Sequence, residues 1–126
     1  MNNQISYIIP SRLPTEKAYG FQILKTCSTL SHKKNINNIN VIYPKRENFI
    51  KENAFEYYDL KLNNKIKLLE FGNYDIFERF KLFGEKFSFK LHIFSFLIKI
   101  FLNKNILFNN IIFLKNFNII FFFILL

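Results

Sequence analysis

Cysteine, glycine, proline and tryptophan are scarce in this chain: 126 residues contain one, three, three and none of them. The single thiol, Cys27, excludes an intramolecular disulfide framework and is typical of a reducing compartment. Neither a G-x-G-x-x-G nor a G-x-x-x-x-G-K-[ST] motif occurs, so no dinucleotide fingerprint and no P-loop is predicted. The first residues lack the basic and apolar regions of a secretory signal. We therefore expect no export and a cytoplasmic location.

A clean apolar run of the about 18 residues that a membrane-spanning helix needs is also missing. The chain is heavily apolar from Leu91 to Leu126, but lysines and asparagines interrupt this stretch repeatedly. The sequence therefore predicts no transmembrane helix. Peripheral contact with the inner face of a membrane stays open as an alternative.

Positive charge is in excess, with 18 Lys and Arg against 9 Asp and Glu and a net charge of +9. Such an excess favours nucleic acid or an anionic membrane surface as a partner. However, lysine, phenylalanine, isoleucine and asparagine are also the residues that A/T-rich codons encode, so the excess does not identify a partner by itself. The basic pairs at 33–34 and 45–46 have no aromatic platform beside them, and we do not expect nucleic-acid binding.

Apolar periodicity predicts a β-α-β unit followed by a third strand, which makes the fold α/β with a Rossmann-like parallel sheet. The first helix is predicted to end in a left-handed cap at Asn35. One short helical turn is expected near residues 53–58. The predicted strands are Ile5–Pro10, Asn40–Pro44 and Lys65–Phe71, and the first helix is Phe21–Leu30.

A long amphipathic helix is predicted from Glu78 onward, because polar and apolar residues each recur every three or four positions. The polar stripe includes His92 and Lys99, and a solvated or structural role is expected for His92. The apolar stripe runs through Phe94, Ile98 and Phe101, and widens toward the end of the helix to include other residues, namely Phe96, Leu97 and Ile100.

The segment 103–126 is a low-complexity apolar tail of Asn, Ile, Phe and Leu. The predicted division is therefore a partial domain at 1–102 and a tail at 103–126. Residues 106–108 and 111–114 could supply strands, but no structure is assigned to the tail. Two explanations of it are kept: out-of-frame translation at a decayed gene end, and a membrane-associated segment.

The loop from Ser11 to Gly20 is the candidate binding site, because it joins the carboxyl end of the first strand to the first helix. Gly20 would let backbone N–H groups approach a phosphate or a sugar hydroxyl. The alternative is that Gly20 only permits a tight turn or close helix packing. The candidate substrate-binding residues are Gly20, Arg12, Thr15, Glu16 and Lys17, and no catalytic residue, metal site or cofactor is predicted.

The run Ile5–Cys27, with its stretch R-L-P-T-E-K-A-x-G-x-Q-I, resembles the opening of family-four glycosyltransferases of the GT-B fold. The run Phe55–Leu60 and the third strand resemble the continuation of that domain. The resemblance implies two Rossmann-like domains, of which the N-terminal one binds the acceptor and the C-terminal one binds the nucleotide-sugar donor. The expected reaction is hexosyl-type transfer to a hydroxyl of a glycan or lipid-linked acceptor, and Gly20 carries over as the glycine of the first loop.

The chain departs from the family pattern in ways that argue for a truncated, incomplete enzyme. The paired glutamates of the family's C-terminal domain have no counterpart here, so we expect no transfer by this chain alone. Family members often have His where Tyr19 stands, which removes any His-based role at that position. Two alternatives are a split enzyme with a separate C-terminal domain and a non-catalytic membrane-surface protein that uses the basic front and the apolar helix and tail.

Overall fold

The computed structural model describes residues 3–46, 48–72, 84–103 and 110–114 of the chain. This part of the chain contains four strands and three helices. In chain order they are β1 Asn3–Ile8, α1 Ala18–Ser31, β2 Ile36–Pro44, α2 Ala54–Tyr57, β3 Ile66–Phe71, α3 Glu85–Leu102 and β4 Asn110–Leu114.

The four strands form one sheet in the order β3-β2-β1-β4, and every neighbouring pair is parallel. β1 lies inside the sheet, where Tyr7 is in register with Val41 of β2 and with Phe113 of β4. Along the chain, β2 and β3 are added on one side of β1, and β4 is then added on its other side. This reversal is the arrangement of a doubly wound, Rossmann-like sheet, and the predicted α/β class is confirmed.

The two long helices cover opposite faces of the sheet, because successive side chains of a strand point to opposite sides. On one face, α1 packs on alternate residues of β1, and this cluster includes Ile5, Tyr7, Ile9, Ile23, Leu24 and Cys27. On the other face, Ile8 and Ile42 pack with residues of α3, namely Phe96 and Ile100. Both faces of the central strand are therefore buried, which explains why residues 5–9 are apolar except for the buried Ser6.

The predicted elements of the β-α-β unit are confirmed, with shifted ends. β1 spans residues 3–8 where 5–10 was predicted, and β2 begins at Ile36 where Asn40 was predicted. The left-handed cap at Asn35 is wrong: α1 ends at His32 with a φ of −78°. Among the described non-glycine residues, positive φ occurs at Asp59 alone. The chain instead turns through a backbone bond from the Ile36 N–H to the Lys33 carbonyl, which leads directly into β2.

The carboxyl end of α1 is capped by a lysine from the residue before β3. Lys65 Nζ donates to the carbonyls of Ser31 at 3.1 Å and Ile36 at 3.2 Å. Beside it, Asn63 Nδ2 donates to Ser31 Oγ at 2.6 Å. A cation at this end of a helix satisfies carbonyls that have no partner within the helix and complements the helix dipole.

Lys65→Met is expected to lower the free energy of unfolding by about 1 kcal/mol, since it removes a charged cap while keeping the apolar stem. Urea unfolding followed by circular dichroism measures the change. Lys61→Met is the matched control, because Lys61 is an exposed lysine in the loop before β3. Equal costs for the two substitutions would contradict the capping role.

The side of α3 that packs on the sheet is not the apolar stripe through Phe94, Ile98 and Phe101 that the sequence predicted. His92 is 2% exposed and lies on the buried side with Ile93, Phe96, Leu97 and Ile100, which fits a structural role and not a solvated one. Conversely, Ile98 and Phe101 of the predicted apolar stripe are exposed. The physical reason is that α3 has apolar residues on two sides, and the side that contains Phe96 and Ile100 packs on Ile8 and Ile42 of the sheet. The predicted start at Glu78 lies outside the described residues.

In the part of the chain that the structure describes, no helix has the length and apolar character to cross a membrane. β4 lies within the segment 103–126, at the place where a strand at 111–114 was considered, and it pairs with β1. The predicted boundary at residue 102 therefore falls between α3 and a strand of the same sheet. Residues 106–108 and 115–126 lie outside the described residues.

Candidate functional site

The loop between β1 and α1 leaves the carboxyl edge of the sheet at the point where the strand order reverses. β1 is flanked by β2, which follows it through α1, and by β4, which is reached only after the whole first half. Connections on the two sides of such a point diverge to opposite faces and leave a crevice at the strand ends, where open α/β sheets bind their ligands. The structure thus places all five predicted site residues within or just after one loop at this position.

Arg12 and Glu16 form an ion pair within the loop. Arg12 Nη2 lies 2.8 Å from Glu16 Oε1 and 2.9 Å from Oε2. The Arg12 guanidinium also lies 5.9 Å from the centre of the Phe49 ring. The backbone N–H of Glu16 and then Arg12 lower the pKa of the Glu16 carboxyl. Because this pKa is lowered in the folded state, Glu16 keeps its charge, and with it the ion pair, to a lower pH than a carboxyl group of ordinary pKa would.

Thr15 is buried and is held by Tyr58, the residue that follows α2. The Tyr58 hydroxyl accepts from the Thr15 N–H at 2.8 Å and donates to the Thr15 carbonyl at 2.6 Å. Burial raises the pKa of Tyr58, so the hydroxyl keeps the proton that it donates. Tyr58 also meets the Tyr57 ring edge-on, with ring centres 5.0 Å apart. One side chain from a distant turn therefore fixes the middle of the loop.

Gly20 is the third residue of α1 and is buried against the same hydroxyl. A Cβ at this position would overlap Tyr58 Oη and would lie 2.6 Å from Thr15 Cγ2. The Gly20 N–H donates to the Lys17 carbonyl at 3.1 Å. Close packing, the alternative role considered for Gly20, is confirmed by these contacts. Ligand binding at Gly20 stays a prediction, and its backbone N–H is already used within the turn.

Lys17 and Ser11 are the two remaining polar residues of the loop considered for ligand binding, one exposed and one with a buried hydroxyl. Lys17 is exposed at the N-cap of α1 and makes no side-chain capping bond, and the first turn of α1 contains no acidic residue. Ser11 lies close after the strand, and its Oγ is buried without a hydrogen bond to any described residue. A lysine at the positive end of a helix and a nearby hydroxyl suit an anionic or hydroxylated ligand.

The loop after β2 supports the candidate site from the neighbouring strand, a contribution that the sequence analysis missed. Asn48 Nδ2 donates to the Pro14 carbonyl at 2.9 Å, and its Oδ1 accepts from the Ile50 N–H at 3.1 Å. Arg46 lies 5.3 Å from the centre of the Phe89 ring of α3. Only the position of this loop in the sequence could have indicated the contact. Residues that follow two adjacent parallel strands emerge at the same edge of the sheet.

Two further sequence predictions concern residues away from the loop. Cys27 is fully buried on the apolar side of α1, and His32 is exposed at the end of that helix. Within the described ranges, no cluster of three or more His, Cys, Asp or Glu side chains could hold a metal ion.

The fold and the loop after β1 together define the structural class of this chain. It is a doubly wound α/β protein with a polar loop at the point where the strand order reverses. A scan against protein-family models found none that matches the chain, and searches of curated proteins and of solved structures found no similar protein.

Proposed function

We propose that this chain is the acceptor-side, Rossmann-like domain of a GT-B glycosyltransferase, and that a second, donor-side domain completes the enzyme. The observation that carries the proposal is the position of the loop from Arg12 to Gly20. This loop, whose residues carry the resemblance, leaves the central strand β1 where the strand order reverses. Doubly wound sheets bind nucleotides and other ligands at this place.

In the proposed reaction, the oxygen of an acceptor hydroxyl bonds to the anomeric carbon of the donor sugar as the bond to the departing nucleotide phosphate breaks, and the hydroxyl proton passes to a base or to that phosphate. The negative charge that develops on the phosphate needs positive groups and backbone dipoles nearby. Lys17 and the start of α1 supply both on the acceptor side of the cleft. The donor-binding glutamates belong to the second domain, so the 126 residues alone transfer no sugar.

The experiment that tests the proposal measures which ligands the loop binds. The full chain, labelled with ¹⁵N, is titrated with UDP, GDP and methyl glycosides while backbone amide signals are followed. We expect shifts centred on residues 11–20, and we expect Lys17→Gln to weaken nucleotide binding by about fivefold, the effect of losing one charge at a helix start. Lys34→Gln is the matched control, because Lys34 is exposed just beyond the opposite end of α1.

The proposal fails if none of these ligands shifts residues 11–20. It also fails if the nucleotide response is the same in Lys17→Gln and in Lys34→Gln, since the phosphate would then be bound elsewhere on this basic chain.

A further inference from the structure

Phe49 lies beside the candidate site and is the most exposed large apolar side chain among the described residues, at 79%. It belongs to the loop that follows β2, at the carboxyl edge of the sheet. Its ring centre lies 5.9 Å from the Arg12 guanidinium, on the loop that follows β1. The ring therefore adjoins the predicted site residues and presents most of its surface to solvent.

A single exposed phenylalanine is ordinary on a protein surface, but the backbone that carries this one is tied to the candidate site. Asn48 Nδ2 donates to the Pro14 carbonyl at 2.9 Å, and the Ile50 N–H donates to Asn48 Oδ1 at 3.1 Å. The two residues that flank Phe49 are thus bonded to each other, and one of them is bonded to the loop after β1. A side chain on an anchored backbone loses less conformational entropy when it binds a ligand.

A carboxylate suited to hydroxyl groups lies next to this ring. The Arg12 guanidinium that is close to Phe49 also pairs with Glu16, at 2.8 and 2.9 Å from its two carboxylate oxygens. The Glu16 side chain is 55% exposed. Because a carboxylate has about four lone-pair sites, it can accept hydroxyl protons while it is paired with arginine. The site thus offers an aromatic surface and a hydrogen-bond acceptor on either side of Arg12.

We propose that Phe49 stacks on the ring of the acceptor sugar and that Glu16 accepts hydrogen bonds from hydroxyls of the same sugar. A pyranose has C–H groups on its faces and hydroxyl groups around its rim. Contact with Phe49 removes the C–H face and the aromatic face from water together. The rim hydroxyls then donate to the Glu16 carboxylate. Phe49 accordingly selects a ring-shaped acceptor over an open-chain polyol with the same hydroxyl groups.

This inference rests on the proposed function, since it names the chemistry of the acceptor that the loop binds. The proposed function places the base of the nucleotide-sugar donor on the second domain, which leaves the Phe49 ring to the acceptor. A nucleobase would also stack on phenylalanine, so binding of UDP is measured beside binding of sugars.

The test is a titration of the full chain, labelled with ¹⁵N, with the methyl glycosides of glucose, mannose and galactose. Glycerol, which has adjacent hydroxyls but no ring, and UDP are titrated separately. For the tightest glycoside, we expect nuclear Overhauser contacts between Phe49 ring protons and C–H protons of the sugar, a signal that a purely structural role would not produce. Phe49→Ala is expected to weaken glycoside binding by about fivefold, while Phe49→Tyr keeps it within about twofold.

Three comparisons complete the test. Glycerol and UDP are expected to bind Phe49→Ala and the unchanged chain equally, because neither uses the ring. Glu16→Gln is expected to weaken glycoside binding by about fivefold, since one charged acceptor is lost. Leu62→Ala is the matched control, because Leu62 is 73% exposed but lies in the loop before β3. We expect this variant to bind every ligand like the unchanged chain.

Equal glycoside binding by Phe49→Ala and the unchanged chain, with residues 11–20 still shifting, would overturn this inference and leave the proposed function standing. Loss of UDP binding in Phe49→Ala without loss of glycoside binding would assign the ring to a nucleobase. A large loss of thermal stability in that variant would assign the ring to packing, and either result overturns the inference. If no ligand shifts residues 11–20, the inference and the proposed function fail together.

Discussion

Gly20→Ala is expected to lower the free energy of unfolding by about 3 kcal/mol, although alanine is the better helix former. In the absence of a steric conflict, alanine within a helix is favoured over glycine by about 1 kcal/mol. Here the new Cβ would overlap the Tyr58 hydroxyl and press on Thr15 Cγ2 at 2.6 Å. Relief requires the hydroxyl to move, which breaks both of its bonds to the Thr15 backbone. Overpacking and two lost hydrogen bonds outweigh the gain in helix propensity.

A double-mutant cycle identifies the cause of that loss. Tyr58→Phe alone is expected to cost about 2 kcal/mol, because it removes the two bonds that the hydroxyl makes with Thr15. When both substitutions are present, the methyl group added at position 20 no longer meets an oxygen, and only the contacts with Thr15 and the aromatic ring remain. The double variant should therefore be more stable than the sum of the single costs implies, by at least about 1 kcal/mol.

Urea unfolding of the four chains, followed by circular dichroism, measures the cycle. A raised unfolding midpoint for Gly20→Ala would contradict the packing of Tyr58 on α1, because the helix-propensity term would then act alone. Strict additivity of the two substitutions would contradict direct contact between these positions. Either result would reopen the surface of Gly20 as a place for a ligand.

The order and type of the first strands and helices could be predicted from local sequence patterns. β-branched and apolar runs that end at proline predicted β1 and β2, and the helical spacing of Ile23, Leu24 and Cys27 predicted α1 together with the side that it buries. These features depend on neighbouring residues and on the period of a strand or a helix. The position of the candidate loop follows from the same frame, since a β-α-β unit has its connecting loop at the carboxyl edge.

The anchoring of that loop could not be predicted, because it depends on contacts between residues far apart in the chain. Tyr58 and Thr15 are 43 positions apart, and Asn48 and Pro14 are 34 apart. The bonds of Tyr58 to Thr15 and its contact with Gly20 carry no local signal. The contribution of Asn48 was missed for the same reason.

The orientation of α3 was missed for a different reason, which is that periodicity does not identify what a helix packs on. Residues 91, 94, 98 and 101 form one apolar stripe, and residues 93, 96, 97 and 100 form another. Either stripe could cover a sheet. The structure buries the second stripe and His92, and it packs Phe96 and Ile100 on Ile8 and Ile42 of the sheet. This choice leaves Ile98 and Phe101 of the first stripe exposed.

Two phenylalanines of α3 provide a direct test of this orientation. Phe96 is 2% exposed beside Ile8, Ile42 and Ile100, whereas Phe101 is 50% exposed. Phe96→Ala is expected to lower the free energy of unfolding by about 3–5 kcal/mol, because the side chain is lost from a closely packed site and leaves a cavity. Phe101→Ala is expected to cost less than about 1 kcal/mol.

The two substitutions are each other's control, since both replace phenylalanine by alanine in the same helix and gain the same helix propensity. Unfolding in urea, monitored by far-ultraviolet circular dichroism, gives both values from one set of conditions. A larger cost at Phe101 than at Phe96 would contradict the orientation and would place the stripe through Phe94, Ile98 and Phe101 against the sheet. In that case His92 would lie in solvent, as its place on the polar stripe suggested.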